Sequence, residues 1–198
     1  MKQLYPASDI QNTVFEKSKR TDNNSADLVI SNFPFGDYNV FDPDHPEYSD
    51  WSIHNYFTAR STDLVRPGGL VVAITSHFSL DSTKNMKLRT WMAPRVDFVG
   101  AIRLPSSAFK ESAGTEVVTD ILIFRKKKGL ELTNSQRFTN VGYAPIDPAD
   151  IRPKGENESD EAYQKRLEAS KSVAINEYFV EHPEMVLSRL ADHRGLVG

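Results

Sequence analysis

Apolar positions in this chain come in two rhythms. Leu28-Val29-Ile30 and Leu70-Val71-Val72-Ala73-Ile74-Thr75 are short, nearly continuous runs, the pattern of buried strands. The second run suits a parallel strand covered on both faces. Between them, Asp50 to Val65 carries Ile53, Tyr56, Phe57 and Leu64 at helical spacing, with Ser49 or Asp50 as caps and Arg66-Pro67-Gly68-Gly69 as the stop. Strand, helix, Pro-Gly-Gly, strand is one βαβ unit. Lys84 to Met92 predicts a short helix with Leu88, Trp91 and Met92 inward, ended by Pro94. Phe98 to Pro105 and Val117 to Phe124 predict two more strands. The link between them, Ser106 to Glu116, has 11 residues, too few for a helical crossover, so the pair is expected to be antiparallel.

The ends of the chain are less periodic. Leu4 to Ile10 suggests the end of a helix, a turn and a short edge strand, followed by a polar loop from Lys17 to Ser25. Residues 129–158, with Pro145, Pro148, Pro153 and Gly155, read as a linker or wrapping loop. Ser159 to Val173 predicts a polar helix capped by Ser159, and Asn176 to Leu190 a more amphipathic one, nicked at Pro183. The expected organisation is an α/β domain over residues 1–128 and a linker with a helical tail over 129–198.

Composition narrows the function classes. At 198 residues and 39% hydrophobic content the chain can bury a real core, and it has no apolar run long enough for a membrane span. Met1-Lys2-Gln3-Leu4-Tyr5-Pro6 does not read as a signal peptide. The absence of cysteine excludes disulfides and thiolate metal sites, and a cytoplasmic protein is expected. His45 and His54 do not fall into a metal-ligand spacing, so no metal is expected. The net charge of −3 is not that of a domain that holds nucleic acid by bulk electrostatics, so any DNA contact must be local or supplied elsewhere. Arg125-Lys126-Lys127-Lys128 is a basic cluster at a strand end, open to a phosphate contact or to plain solvation.

The candidate chemistry lies where the first strand stops. Asn32-Phe33-Pro34-Phe35-Gly36 breaks the ladder, and the carboxyl end of a strand is where open α/β sheets bind ligands. The side-chain carbonyl of Asn32 and the backbone carbonyl of Phe33 can accept both hydrogens of an exocyclic amine. Phe35 can stack on the ring that carries it. An amine gripped in this way has its lone pair free for a methyl group. Tyr38, Phe41 and His45, in the loop that follows, are candidate base or backbone contacts, although a surface loop without a contact role fits as well. His77, at the end of the second strand, is open to a substrate contact or a structural role.

Asn32-Phe33-Pro34-Phe35 resembles the catalytic motif of amino-group methyltransferases that use S-adenosylmethionine, Asn-Pro-Pro-Tyr or Phe, with Phe33 in place of the first proline. Ile102-Arg103-Leu104-Pro105, Phe109, Gly114-Thr115-Glu116-Val117 and Thr119-Asp120-Ile121-Leu122 are similar to the closing hairpin of the modification subunits of type I restriction systems. The stretch from Asp27 to Arg125, with Arg66-Pro67-Gly68-Gly69 and Ile175 to Met185, looks closer still to the methylase part of phage and plasmid methylase–helicase fusions. The resemblance implies a partial Rossmann-like methyltransferase fold, a mostly parallel sheet ending in an antiparallel hairpin, with a helical tail. It further implies methylation of the N6 amine of a flipped adenine in DNA, S-adenosylmethionine as cofactor, and an attached or associated helicase. By the same resemblance Asn32, Phe33, Pro34 and Phe35 are catalytic, Asp9, Ile10 and Asn32 face the cofactor, and Phe35, Tyr38, His77 and Thr115 face the substrate. A solvated turn aspartate remains the plain reading of Asp9.

One part of the family pattern is missing. The glycine-rich loop that holds the cofactor precedes the catalytic motif in this class, and no GxG stands anywhere in the chain. The sequence therefore reads as the carboxyl-terminal two-thirds of a methyltransferase domain: a truncated gene, a fragment, or half of a split enzyme. The first strand would then expose an apolar edge, open to a second copy, to a missing amino-terminal half, or to the chain's own amino terminus. The alternatives are a non-catalytic DNA-binding or interaction module and a bare structural remnant.

Overall fold

The computed structural model describes residues 3–10, 12–18, 20–36, 38–109, 117–130 and 137–187. Its frame is a parallel pair. β1 (Ala26–Asn32) runs beside β2 (Val65–Ser76), with Leu28, Ile30 and Asn32 opposite Leu70, Val72 and Ile74. α1 (Ile53–Leu64) makes the crossover that a parallel pair needs. Its N-cap is Ser52, not Ser49 or Asp50, and the Ser52 side chain makes no capping bond. Pro-Gly-Gly proves to be an irregularity inside β2 rather than a helix stop. Val65 already pairs with Ala26, and Arg66, Pro67 and Gly68 lie outside the ladder before it resumes at Leu70. Gly68 has φ of 84°, a region open to glycine. A Cβ at Gly69 would collide with Val65 Cγ1 and sit 2.7 Å from the Asp27 carbonyl oxygen.

β3 (Val96–Leu104) and β4 (Thr119–Lys126) form the expected antiparallel pair, and β4 inserts beside β2 to give the order β1-β2-β4-β3. The sheet is mixed, with parallel pairing confined to β1 and β2 among the described residues. Register separates its two faces. Val71, Ala73, Ala101, Leu122 and Phe124 are buried on one of them. The other carries Leu28 and Ile30, 49% and 71% exposed, beside Leu70, Val72, Ile74, Ile121 and Ile123, which are partly exposed. The expectation that β2 is covered on both faces is therefore corrected: among the described residues, one face is covered.

The covered face lies under α1, under α3 (Met86–Met92), and under the carboxyl-terminal part of the chain. α2 (Phe78–Asp81) follows β2 directly. The segment after residue 128 is more than a linker with helices. β5 (Val141–Pro145) pairs antiparallel with β6 (Ser172–Asn176), where the sequence suggested helix up to Val173. α4 (Asp160–Ala169), between them, is capped by Ser159 as expected, its hydroxyl accepting from the Ala162 N–H at 3.1 Å. Pro183 cuts the predicted last helix to α5 (Glu177–Glu181) and a 3-10 turn, Pro183–Met185. Phe138, in the stretch read as a linker or wrapping loop, is fully buried against Phe98 and Phe124, with ring centroids at 5.0 and 5.7 Å. At the amino terminus, Leu4 to Ile10 makes turns and no edge strand.

Two buried polar networks hold the layers together. Arg103 Nε and Nη2 donate to the two carboxylate oxygens of Asp120, each at 2.9 Å, and Nη1 lies 2.9 Å from Asp81 Oδ2. Asp81 Oδ1 accepts from the Asn176 N–H at 2.8 Å, which ties β6 to α2. The second network sits in the loop before α1. Asp42, with no exposed surface, accepts from the Tyr56 hydroxyl at 2.7 Å and lies 3.8 Å from Arg60 Nε.

Candidate active-site groove

β1 delivers the motif to the carboxyl edge of the sheet, and its residues part company there. Asn32 pairs with Ile74 and is exposed on the face of the sheet away from the core. The Phe33 N–H donates to the Ile74 carbonyl at 2.9 Å, which carries the ladder one residue beyond β1. Its ring is 2% exposed and packs on Phe57 at 5.8 Å. Pro34 is half-buried and turns the chain. Phe35 comes out 45% exposed, in the wall of a groove of about 910 Å³.

The groove runs between the loop after β1, the start of α1 and the α2–α3 segment. Phe35, Trp51, Phe78 and Leu88 supply its apolar wall, and Asp50, His54, Lys84 and Lys87 its ionisable groups. Phe78 is 55% exposed. Burial holds the His54 imidazole below its usual pKa, and its Nε2 lies 3.2 Å from Ser52 Oγ. Lys87 Nζ sits 5.7 Å from the Trp51 ring centroid, close enough for a cation–π contact. An amide relay stiffens the floor. Asn85 Nδ2 donates to the Phe78 carbonyl at 2.7 Å, and Asn85 Oδ1 accepts from Asn55 Nδ2 at 2.8 Å. Because a carbonyl only accepts, this relay fixes both amides. It leaves Asn55 Oδ1 without a partner.

The remaining expected site residues scatter. Tyr38 is exposed and leans over Gly36, where a Cβ would lie 2.6 Å from Tyr38 Cε1. His77 Nδ1 is 3.0 Å from the Val118 carbonyl oxygen, which ties its ring to the start of β4. Asp9 is exposed and Ile10 half-buried in turns before β1, and neither lines the groove. Thr115 lies outside the described residues. His45 is buried, stacked on Tyr48 at 5.7 Å and 3.2 Å from Glu47, so it does not reach a base. In the basic cluster, Lys126 Nζ donates to the Asp63 carbonyl at 3.0 Å and Lys127 is buried, so two of its four cations serve the fold. Lys84, Lys87, Phe78 and Asn55 are groove residues that sequence reasoning missed. The signal available was position alone: all four follow a strand or open a helix at one sheet edge.

No group of three or more histidine or acidic side chains that could hold a metal occurs among the described residues. No helix there is long and apolar enough to cross a membrane. The described glycines begin at Gly36, after β1, so these residues do not build a cradle for the methionine and ribose parts of S-adenosylmethionine.

No protein-family model matches the chain. It is 36% identical over 126 residues to the Defense against restriction protein B of Escherichia phage P1, a match that takes in 62% of this chain but 6% of that protein. The chain thus corresponds to a small part of that relative's length. Among solved structures, a chain of the type I R-M system superposes with a TM-score of 0.52 at 12% identity, over 92% of this chain and 41% of that one. The type I restriction-modification methyltransferase subunit of Streptococcus thermophilus gives a TM-score of 0.42 at 16% identity, over 89% of this chain and 39% of that one. At such identities the likeness is one of architecture: this chain has the α/β fold, with its mixed β1-β2-β4-β3 sheet, of a type I R-M chain.

Proposed function

We propose that this chain carries the substrate side of an amino-group methyltransferase that acts on the N6 amine of adenine in DNA. The observation that carries the reading is Asn32-Phe33-Pro34-Phe35 at the carboxyl end of β1, with Phe35 half-exposed in a groove wall. Asn32 and the Phe33 carbonyl take the two amine hydrogens, and Phe35 stacks on the base. The target base leaves the duplex at a cost of roughly a few kcal/mol, offset by stacking and hydrogen bonds. S-adenosylmethionine is the implied methyl donor. The described residues do not fit it, so what this chain's own groups do is bind and orient the amine. The exposed edge of β1 is a surface for the polypeptide that supplies the rest of the site, either a second copy or an amino-terminal half. A helicase domain and a cytoplasmic setting belong to the same reading.

The absence of a glycine cradle favours a second reading, a non-catalytic DNA-interaction module. Calorimetric titration of S-adenosylmethionine into the purified chain separates the two. Micromolar binding supports the enzyme, whereas silence at millimolar ligand leaves the module. Where transfer to DNA is measurable, Asn32→Ala abolishes it. Retained transfer removes Asn32 from the mechanism.

A further inference from the structure

The groove is larger than one base requires. About 910 Å³ is near the top of the roughly 300–1,000 Å³ that a drug-sized ligand fills. Its two half-exposed rings, Phe35 and Phe78, come from different strand ends, one after β1 and one after β2. Lys84 and Lys87 lie on the same wall, exposed, and no ion pair to either occurs among the described residues. Among the residues that line the groove, the one carboxylate is that of Asp50. Flat apolar rings beside cations that have no carboxylate partner are the chemistry by which proteins hold single-stranded nucleic acid, bases on the rings and phosphates on the lysines.

We infer that the groove binds a short single-stranded DNA segment, with one base on Phe35, a second base of the same strand on Phe78, and two phosphates of that segment on Lys84 and Lys87. This rests on the proposed function for the identity of the base on Phe35, and it adds the flanking nucleotide and the residues that hold it. The polarity of the wall supports a polyanion over an apolar peptide. The relay from Asn55 through Asn85 to the Phe78 carbonyl supports it further, because it fixes the backbone under the second ring. Binding at this wall needs unstacked bases, so the chain should prefer single strands to duplex.

Fluorescence anisotropy with a labelled eight-nucleotide single strand, against the same sequence as a duplex, tests this on the full chain. The expected result is tighter binding of the single strand. In Lys84→Ala/Lys87→Ala the slope of log affinity against log salt falls by about 1.4, two phosphates at about 0.7 each. Phe78→Ala weakens binding by about 5- to 150-fold, the range for one stacked base. All three residues are exposed, and circular dichroism confirms that the variants fold. Unchanged affinity and slope in these variants overturn the inference. If Phe35→Ala weakens binding while they do not, the base-holding reading survives alone. If they weaken it while Phe35→Ala and Asn32→Ala do not, the groove stands and the amine-holding reading falls. No binding by the wild-type chain at low salt overturns both.

Discussion

The backbone N–H of Phe33 donates to the carbonyl of Ile74 at 2.9 Å, one step past the last pair of the parallel ladder. The methyltransferase motif that this stretch resembles has proline there, and proline has no N–H to give. The substitution is therefore accommodated by the fold: Phe33 adds a ladder bond and a buried ring. Phe33→Pro should destabilise the chain by about 3–5 kcal/mol, chiefly through loss of the aromatic side chain from the core. Urea unfolding measures it. A variant as stable as the parent would show that neither the bond nor the ring matters.

The loop before α1 yields a second test. Asp42 is wholly buried, and the Tyr56 hydroxyl is its shortest described bond. Tyr56→Phe removes the donor and leaves the acceptor in place, which should cost about 1–3 kcal/mol. Exposed Tyr38→Phe should change stability by less than about 0.5 kcal/mol. Equal losses in the two variants would place Asp42 in water rather than in the core.

Arg103 and Asp120 make the stability of the chain depend on pH. Burial pushes the Asp120 carboxyl up from 3.8 to about 6, against the pull of Arg103. A group raised in the folded state contributes stability below its unfolded pKa and loses it as pH rises through the folded one. Arg103→Met removes the counter-ion and strands a buried carboxylate, so it should cost about 3–5 kcal/mol at pH 7. The loss should shrink as pH falls through about 6, where Asp120 takes up its proton in the folded state. Urea midpoints at pH 7 and pH 5 decide: a deficit that grows on acidification contradicts this assignment.

The uncovered sheet face gives a fourth expectation. Leu28 and Ile30 stand open beside a row of half-exposed aliphatic side chains. A contiguous apolar surface of this kind binds hydrophobic dyes and other proteins. The folded chain should enhance anilinonaphthalene sulfonate emission, and Ile30→Glu should lower it with little change in unfolding midpoint. No enhancement from the native chain would mean that the face is covered.

Much of the frame was legible in the sequence because it depends on local rules. Continuous apolar runs gave β1 and β2, and the short link gave the β3–β4 hairpin. The boundaries moved where tertiary pairing extended a strand, as Val65 does opposite Ala26. The loop before α1 was not legible, because its buried groups include Asp42 and His45, which follow no period and pass for solvated residues. β6 was hidden for a related reason: Ser172 to Asn176 continues from a helix, and its pairing with β5 is non-local. In the site, the strand tip and Phe35 followed from position. The sequence could not show that Phe35 lines the groove while Asn32, at the last pair of the ladder, stands outside its lining. Nor could it reveal Phe78, Lys84 and Lys87, which become one wall only when α2 and α3 fold against α1.

The bonds from Asn176 bear on what can be exchanged between proteins. Its side chain donates to the Leu80 and Phe138 carbonyls at 3.1 and 2.8 Å, while its N–H holds Asp81. Leu80 and Asp81 belong to the same short helix that presents Phe78 to the groove. A recombination junction near Lys128 would leave Phe98 and Phe124 bare and loosen the groove wall from behind. The strand pair and short helices beyond that point are therefore one structural unit with the sheet, and a graft of the motif-bearing half alone would carry the ring of Phe78 without its footing.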